Sequence, residues 1–410
     1  MHVAVIGGGA IGATLAYFLS RRGIRVTLFE KNAIGGGASF GNAGLLVPSY
    51  SAPLAAYANL IEGMRSLVGA PSAVHLKLRP DAANLWWIAR FLAAAWPASS
   101  ARGLRALASL TQRSLDLYGD LLGTAPPEVA YAKRGTMYVA RSDEGLNESV
   151  KLAERLATFG IRSERMTAAR AHACEPTLSS SIAGAVWYPE DAKVQPLGFA
   201  RLMWDLAAER GAKIRLETVT GIAREGKRAT GVLLTNEHVA ADWVVLAAGS
   251  WSPAIVGSIG LRVPILPAKG YSFDLRLAHS PQTPMLFLER HVSVTPLNGI
   301  VRATTGLDFH GLDAAIAPQR LQAMRAAYHE YLDSPVIVEE SQPWAGFRPL
   351  TPDGLPIVGP SSRVGNLLYA TGHGPLGVTL APATAELVTN MLLDEAGTID
   401  PAMAPSRFGI

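Results

Sequence analysis

Residues 2–31, HVAVIGGGAIGATLAYFLSRRGIRVTLFEK, decide how the chain is read. Val3, Val5 and Ile6 form a short apolar run that ends in glycines; Ile11, Leu15, Phe18 and Leu19 then recur at helical spacing, and Arg25 to Phe29 alternates again. Strand, turn, helix and strand make one βαβ unit. Gly7, Gly9 and Gly12 stand at G-x-G-x-x-G spacing between the first strand and the helix. The first permits a tight turn, the second lets a pyrophosphate approach the backbone, and the third lets helix and strand pack closely. The helix start then presents free N–H groups to the phosphates. Glu30 closes the second strand at the distance expected of an acid that binds a ribose hydroxyl. With strand, helix and acid all in place, a dinucleotide site is favoured over a merely structural glycine turn.

Working outward, residues 55–122 read as helical, with Leu104, Ala108, Leu115, Tyr118 and Leu122 along one stripe. A short strand follows at 134–141, then helices near 145–158 and from Thr167. Pro196 opens a longer helix that closes at Gly211. Three strand-like pieces come next, KIRLETVTGIARE, TGVLLTN and ADWVVLAAG; the last is almost continuously apolar, as suits a strand buried on both faces. Residues 262–340 alternate again around one helix near 318–332. From Trp344 the chain carries a Pro/Gly-rich turn, the strand NLLYAT and a second glycine-rich turn, YATGHGPLGVTLAPATAE at 369–386, that opens a helix.

A nicotinamide enzyme needs one nucleotide fold and an independent catalytic domain. Here ADWVVLAAGSW at 241–251 and the late glycine turn add two more strand-to-turn junctions. A cofactor lying extended across the sheet requires such junctions, with its pyrophosphate at one end and an isoalloxazine at the other. The late helix start would then oppose the negative charge that builds on a reduced flavin. Taken singly, each later turn is an ordinary strand-to-helix connection; together with the N-terminal unit they point to FAD.

The segments GGGAIG, FGNAGLLVPSYSAP, VVLAAGSW, KGYS, GFRPLTPDGLPIVGP and ATGHGPLGVTLAP, in this order, resemble the D-amino acid oxidase superfamily of FAD enzymes, and most closely its bacterial D-amino acid dehydrogenases of the small-subunit type. The resemblance covers almost the whole chain. It implies an α/β fold in which an FAD-binding Rossmann-like domain of the glutathione-reductase type (1–48, 190–262 and 341–410) is interrupted by an α+β substrate-binding domain with a mixed or antiparallel sheet (49–189 and 263–340). It further implies that Gly7, Gly9, Ala10, Ile11, Gly12, Glu30 and Lys31 hold the ADP half of a non-covalent FAD. Ser39, Asn42, Ala43 and Gly44 would meet the pyrophosphate and flavin edge, and Val219 would face the adenine. Ala248 and Gly249 would follow the ribitol path, and Gly374, Leu376, Gly377, Val378 and Thr379 the flavin pyrimidine.

Arg348 in GFRPLTPDG is the leading substrate residue, because a planar guanidinium pairs both oxygens of an α-carboxylate. The resemblance gives it the same role; the competing reading is a salt bridge to Asp353 or another acid. Tyr271 in KGYS and Tyr50 in PSYSAP either help hold the carboxylate or are rings whose hydroxyls bond elsewhere. His373, between the glycines of the late turn, reads as a wall of the site more than a general base. Lys269 reads either as a site residue or as a surface or interdomain charge. The expected reaction is oxidation of D-amino acids, or cyclic D-imino acids such as D-proline, by hydride transfer to flavin N5. Electrons would pass on to a quinone or another acceptor. A glycine- or sarcosine-type amine oxidase and a non-catalytic flavin subunit stand as alternatives.

Bulk properties agree with an enzyme of small molecules. Of 410 residues 49% are hydrophobic and 17% charged, and the +4 net charge is scattered rather than massed, which argues against a nucleic-acid partner. Cys174 is the only cysteine, so no intrachain disulfide or thiolate metal site can form, and the histidines show no metal spacing. A cytoplasmic location is expected. The segment NLWWIARFLAAAWP at 84–97 is interrupted by Arg90 and falls short of the ~20 apolar residues that span a bilayer. Trp86, Trp87 and Trp96 within it are read as helical core, with peripheral contact to the inner face of the membrane as the other reading.

Overall fold

The computed structural model describes residues 1–52, 74–76, 82–309, 311–395 and 399–410. A six-stranded sheet forms around the N-terminal unit, in the order Ile357–Pro360, Leu367–Thr371, Trp243–Leu246, His2–Ile6, Arg25–Phe29, Lys213–Arg215. All neighbours pair in parallel except the first two strands. Val3, Ala4, Val5, Val244, Val245 and Leu246 have no exposure, which explains why both central strands are apolar without alternation. Helices Ala10–Ser20, Pro196–Glu209 and Ala381–Leu392 share one face. The second of these starts as expected, with Pro196 in its first turn and the Gln195 side chain accepting from Gly198 N–H; Gly211 follows its end at φ +85°.

A ten-stranded mixed sheet makes the second layer. Its long central strand, Leu266–Leu277, is flanked by Ile300–Phe309 and by Trp344–Leu350, both antiparallel. Helix Pro318–Tyr331 covers one face with Met324, Ala327, Tyr328 and Tyr331 buried. We propose that the two larger sheets define the domains. On that basis Trp344–Leu350 belongs by hydrogen bonding with the substrate unit, although a boundary at 341 places it with the other. Helix Pro97–Leu122, expected with the substrate unit, packs on helix Ala381–Leu392 of the six-stranded layer, where Tyr118 Oη donates to Val378 O at 2.6 Å. Its five stripe residues are all buried.

Three local expectations change. KIRLETVTGIARE divides into Lys213–Arg215, which joins the six-stranded sheet, and Gly221–Glu225, which enters a separate three-stranded one. Glu217 and Thr218 interrupt the apolar alternation between the two strands, where the pairing partner changes. The helical reading of 55–122 is interrupted by strand Val74–Leu76, which the edge of Ile300–Phe309 recruits in parallel; residues 55–73 and 77–81 of it lie outside the described residues. Of the three tryptophans, only Trp87 is core, donating Nε1–H to Pro264 O at 3.2 Å, whereas Trp86 and Trp96 are 43% and 72% exposed. Among the described residues no helix is long and apolar enough to cross a membrane.

Gly12 illustrates how tightly the first turn is built: a Cβ there would lie 1.8 Å from Gly7 O. Gly12→Ala is expected to destabilise the fold by ~1–3 kcal/mol through overpacking, read as a lower urea midpoint with an unchanged slope.

Candidate active site

The first glycine turn and the start of its helix form one end of a cavity of about 340 Å³. Gly7 takes φ +106°, and a Cβ on it would meet Ala247 O at 2.5 Å, so only glycine fits between the two strands. Gly9 caps the helix with no side-chain cap bond, and the first backbone bond of the turn runs from Ala13 N–H to Gly9 O. Ser39 Oγ accepts from Ala10 N–H at 3.0 Å and so pulls residues 37–43 over the helix start. Glu30 accepts from Gly8 N–H at 2.8 Å and from Asn32 N–H at 2.9 Å, which orients its carboxylate at the strand end. Lys31 lies with Nζ 3.6 Å from the Trp251 ring centroid, and burial lowers its pKa.

The late turn lines the same cavity. Gly372 and Gly374 take φ +76° and +54°, a 3-10 turn spans Gly374–Leu376, and the α-helix begins only at Ala381, later than the sequence suggests. Left-handed glycines cannot continue an α-helix, which delays its start. Asn42 Nδ2–H donates to Pro375 O at 3.3 Å and Thr379 Oγ–H to Leu45 O at 2.9 Å, so the turn is stitched to the 42–46 segment. His373 Nε2 lies 3.0 Å from Thr384 Oγ1. Burial lowers its pKa to about 3, so the ring is neutral and a poor base, as befits a wall.

Arg348 stands at the third side. Its strand pairs Gly346 with Gly270 and Arg348 with Ala268, leaving a floor without side chains beneath the guanidinium. A Cβ on Gly270 would lie 1.9 Å from Arg348 Nη1. Nη1–H donates to Gly306 O, and among the described residues no carboxylate forms an ion pair with this arginine. Asp353, its expected rival partner, is instead paired with Arg407 at 2.7 Å. Burial lowers the Arg348 pKa, while Tyr50 and Asp308 oppose that shift.

The two tyrosines part company. Tyr50 is 37% exposed and lines the cavity beside the guanidinium. Tyr271 is 1% exposed, packs in the core of the second sheet, and donates its hydroxyl to Asp308 at 2.7 Å. It supports the backbone at Gly306 from below, where a Cβ would touch its ring at 2.8 Å. Lys269, 2% exposed, donates to Ala315 O at 2.7 Å, away from the cavity lining.

The structure brings to one cavity Gly7, Gly9, Ala10, Ile11, Glu30, Lys31, Ser39, Asn42, Ala43, Val219, Ala248, Gly249, Gly374 and 376–379, together with Tyr50, Tyr271, Arg348 and His373. Gly12 and Gly44 lie outside the lining; each packs against backbone, Gly44 with its Cβ position 2.2 Å from Val194 O. Cys174 is exposed and also outside it. Sequence reasoning missed Tyr138, Trp251, His291, Ser293, Gly306 and Trp344, which line the same space. Tyr138 reads only as part of a strand, and nothing in local spacing shows which neighbours it meets. Arg302 was also missed: 5% exposed, it pairs with Asp274 and donates to Phe40 O at 2.9 Å, fastening the 40–42 loop to the second sheet. A helix start whose N-cap glycine offers no side-chain cap, glycines whose Cβ positions are filled, and one cavity lined by both glycine turns fit an extended dinucleotide.

Comparison with known proteins agrees. The family described as FAD dependent oxidoreductase, DAO, matches residues 2–391. The chain belongs to the DAO family. It is an FAD-dependent oxidoreductase. It is 30% identical to a D-amino acid dehydrogenase of Cereibacter sphaeroides over 98% of this chain and 94% of the relative. It is 28% identical to one of Granulibacter bethesdensis over the full length of both. Among solved structures it shares the fold of glycine oxidase from Bacillus cereus (TM-score 0.75, 23% identity, 97% of this chain and 96% of the other). It also shares that of L-proline dehydrogenase from P. horikoshii (TM-score 0.75, 21% identity, 99% and 97%).

In this DAO-family chain the buried His373 gives stability a pH dependence of known sign. The folded state keeps the ring neutral down to about 3, whereas the unfolded chain takes up a proton near 6.5. Its contribution is therefore complete above 6.5 and is lost as pH falls towards 3. His373→Asn should flatten that part of the melting-temperature profile.

Proposed function

We propose that the protein oxidatively deaminates D-amino acids, or cyclic D-imino acids such as D-proline. The observation that carries this reading is Arg348: a half-buried guanidinium without an ion-pair partner among the described residues, in the cavity that both glycine turns line. A partly buried cation of this kind wants an anion, and its planar fork fits an α-carboxylate. Similarity to relatives named D-amino acid dehydrogenases supports the substrate class.

In this reading Arg348 fixes the carboxylate and Tyr50 closes over it, so one face of the α-carbon is presented to the cofactor. Gly306 O holds the guanidinium in place, and Tyr271, through Asp308 and the packing under Gly306, positions that carbonyl. Residues Gly7 to Ile11, Glu30 and Ser39 would hold the nucleotide half, and 374–379 the ring. His373, neutral, would form a wall that adds no charge. Bound FAD supplies a two-electron acceptor at N5 for the α-hydrogen and its bonding pair. The dehydrogenase names of the relatives support an onward acceptor other than oxygen, for which a quinone is our candidate, and the exposed Leu85, Trp86, Leu92 and Trp96 support peripheral contact with a membrane.

Anaerobic mixing with D-alanine, D-proline, glycine and sarcosine tests the reading. Bleaching of the flavin by the D-amino acids is expected; bleaching by glycine or sarcosine alone would favour an amine oxidase, and no bleaching by any amine a non-catalytic flavin subunit. Reoxidation should be fast with a soluble quinone and slow with oxygen.

Arg348→Lys should raise KM by on the order of 10–100-fold, the value of a charged bidentate contact, with flavin content unchanged. Gly270→Ala should act in the same direction by displacing the guanidinium, as steady-state kinetics will show.

A further inference from the structure

The groups that would hold the substrate in this reading leave one requirement unmet. An amino acid at neutral pH carries an ammonium group, and oxidation at the α-carbon needs the lone pair of the neutral amine. Arg348 cannot accept the proton, and the neutral His373 is engaged with Thr384 and is a weak base.

Behind the cavity wall lies a hydrogen-bonded chain that the reaction so far does not use. Tyr138 lines the cavity, and its hydroxyl is 3.0 Å from Ser49 Oγ. Ser49 Oγ–H donates to Asp191 Oδ2 at 2.5 Å, and Ser49 N–H to Asp191 Oδ1 at 3.3 Å. Asp191 is 1% exposed, does not line the cavity, and forms no ion pair among the described residues. The direction of the bonds follows from chemistry. A carboxylate only accepts, so the single Ser49 proton points to Asp191, the Tyr138 proton points to Ser49, and the Tyr138 oxygen is left as an acceptor.

We propose that Tyr138, Ser49 and Asp191 form a relay that takes the ammonium proton of the bound amino acid. This rests on the amino-acid reading of the site. The substrate N–H proton passes to Tyr138 Oη as the phenol proton passes to Ser49 Oγ and the serine proton to Asp191. The products are a neutral amine and a protonated carboxyl, with both hydroxyls restored. Burial raises the Asp191 pKa to about 7, against the lowering by its Ser49 bonds, so it can both accept and later release the proton near neutrality. The ionisable groups acting on it or on Tyr138 are Glu190, Tyr188 and Tyr50. Glu190 reinforces the upward shift of Asp191.

The test uses the FAD-loaded enzyme and the variants Asp191→Asn, Ser49→Ala and Tyr138→Phe, the last removing a single oxygen while keeping the ring. At neutral pH anaerobic flavin reduction by a D-amino acid should slow by on the order of 10²-fold or more in each. The rate should recover as pH rises towards that of the free amine, with flavin content unaltered. A second readout needs no turnover: 2-methylalanine, which has no α-hydrogen, should produce a protonated-carboxyl infrared band on binding that Asp191→Asn abolishes. Reduction of all variants at the wild-type rate and pH profile, with no such band, would overturn the relay while leaving the D-amino acid reading standing. If no D-amino acid reduces the wild-type flavin, that reading fails and takes the relay with it.

Discussion

The site depends on where one pair of strands ends. Trp344–Leu350 runs antiparallel to Leu266–Leu277, so it belongs to the second sheet, yet a bridge between Leu350 and His373 ties its end to the late glycine turn of the first. That contact fixes the distance between a guanidinium on one sheet and a nucleotide cradle on the other. The Gly270–Gly346 pair under the strand is part of the same constraint, because a side chain at either position would occupy the space that Arg348 or Trp344 now fills.

Charge is distributed to match. Other cations of the second layer are satisfied: Arg302 by Asp274, Arg320 of helix Pro318–Tyr331 by Asp308, and Lys269 by Ala315 O and Asp313. Among the described residues Arg348 bonds to the neutral carbonyl of Gly306 and pairs with no carboxylate, so its charge is balanced only weakly by the protein. A partly buried ion of this kind is costly without a partner, and an anionic ligand would relieve the cost. In the proposed reading the substrate carboxylate would be that ligand. The buried Asp191 lies outside the cavity lining, behind the hydroxyls of Ser49 and Tyr138.

Much of this was readable residue by residue. The G-x-G-x-x-G turn with Glu30 depends on neighbours within one βαβ unit, and local spacing is enough to reveal it. The apolar strand at 243–246 and the stripe at 104–122 follow from burial periods of strand and helix. Tyr271 was legible as a motif residue but not in its role, since its hydroxyl partner, Asp308, sits 37 residues away on another strand. Ser49 lies in PSYSAP without a role the motif reveals, Tyr138 and Asp191 carry no motif, and the three meet only because distant segments converge, Ser49 and Asp191 standing 142 positions apart.

By itself the sequence determined the nucleotide-binding architecture and the chemical type of the leading substrate residue. Glycine spacing, an acid at a strand end and an arginine beside a turn are short-range consequences of backbone sterics and side-chain geometry. Only the tertiary structure decided which polar groups remain available. Asp353 was assigned to Arg407, the Tyr271 hydroxyl to Asp308, and a buried carboxyl was set behind the cavity wall. Hydrogen-bond partnership is a through-space property, and the pairs that settle it here are far apart along the chain.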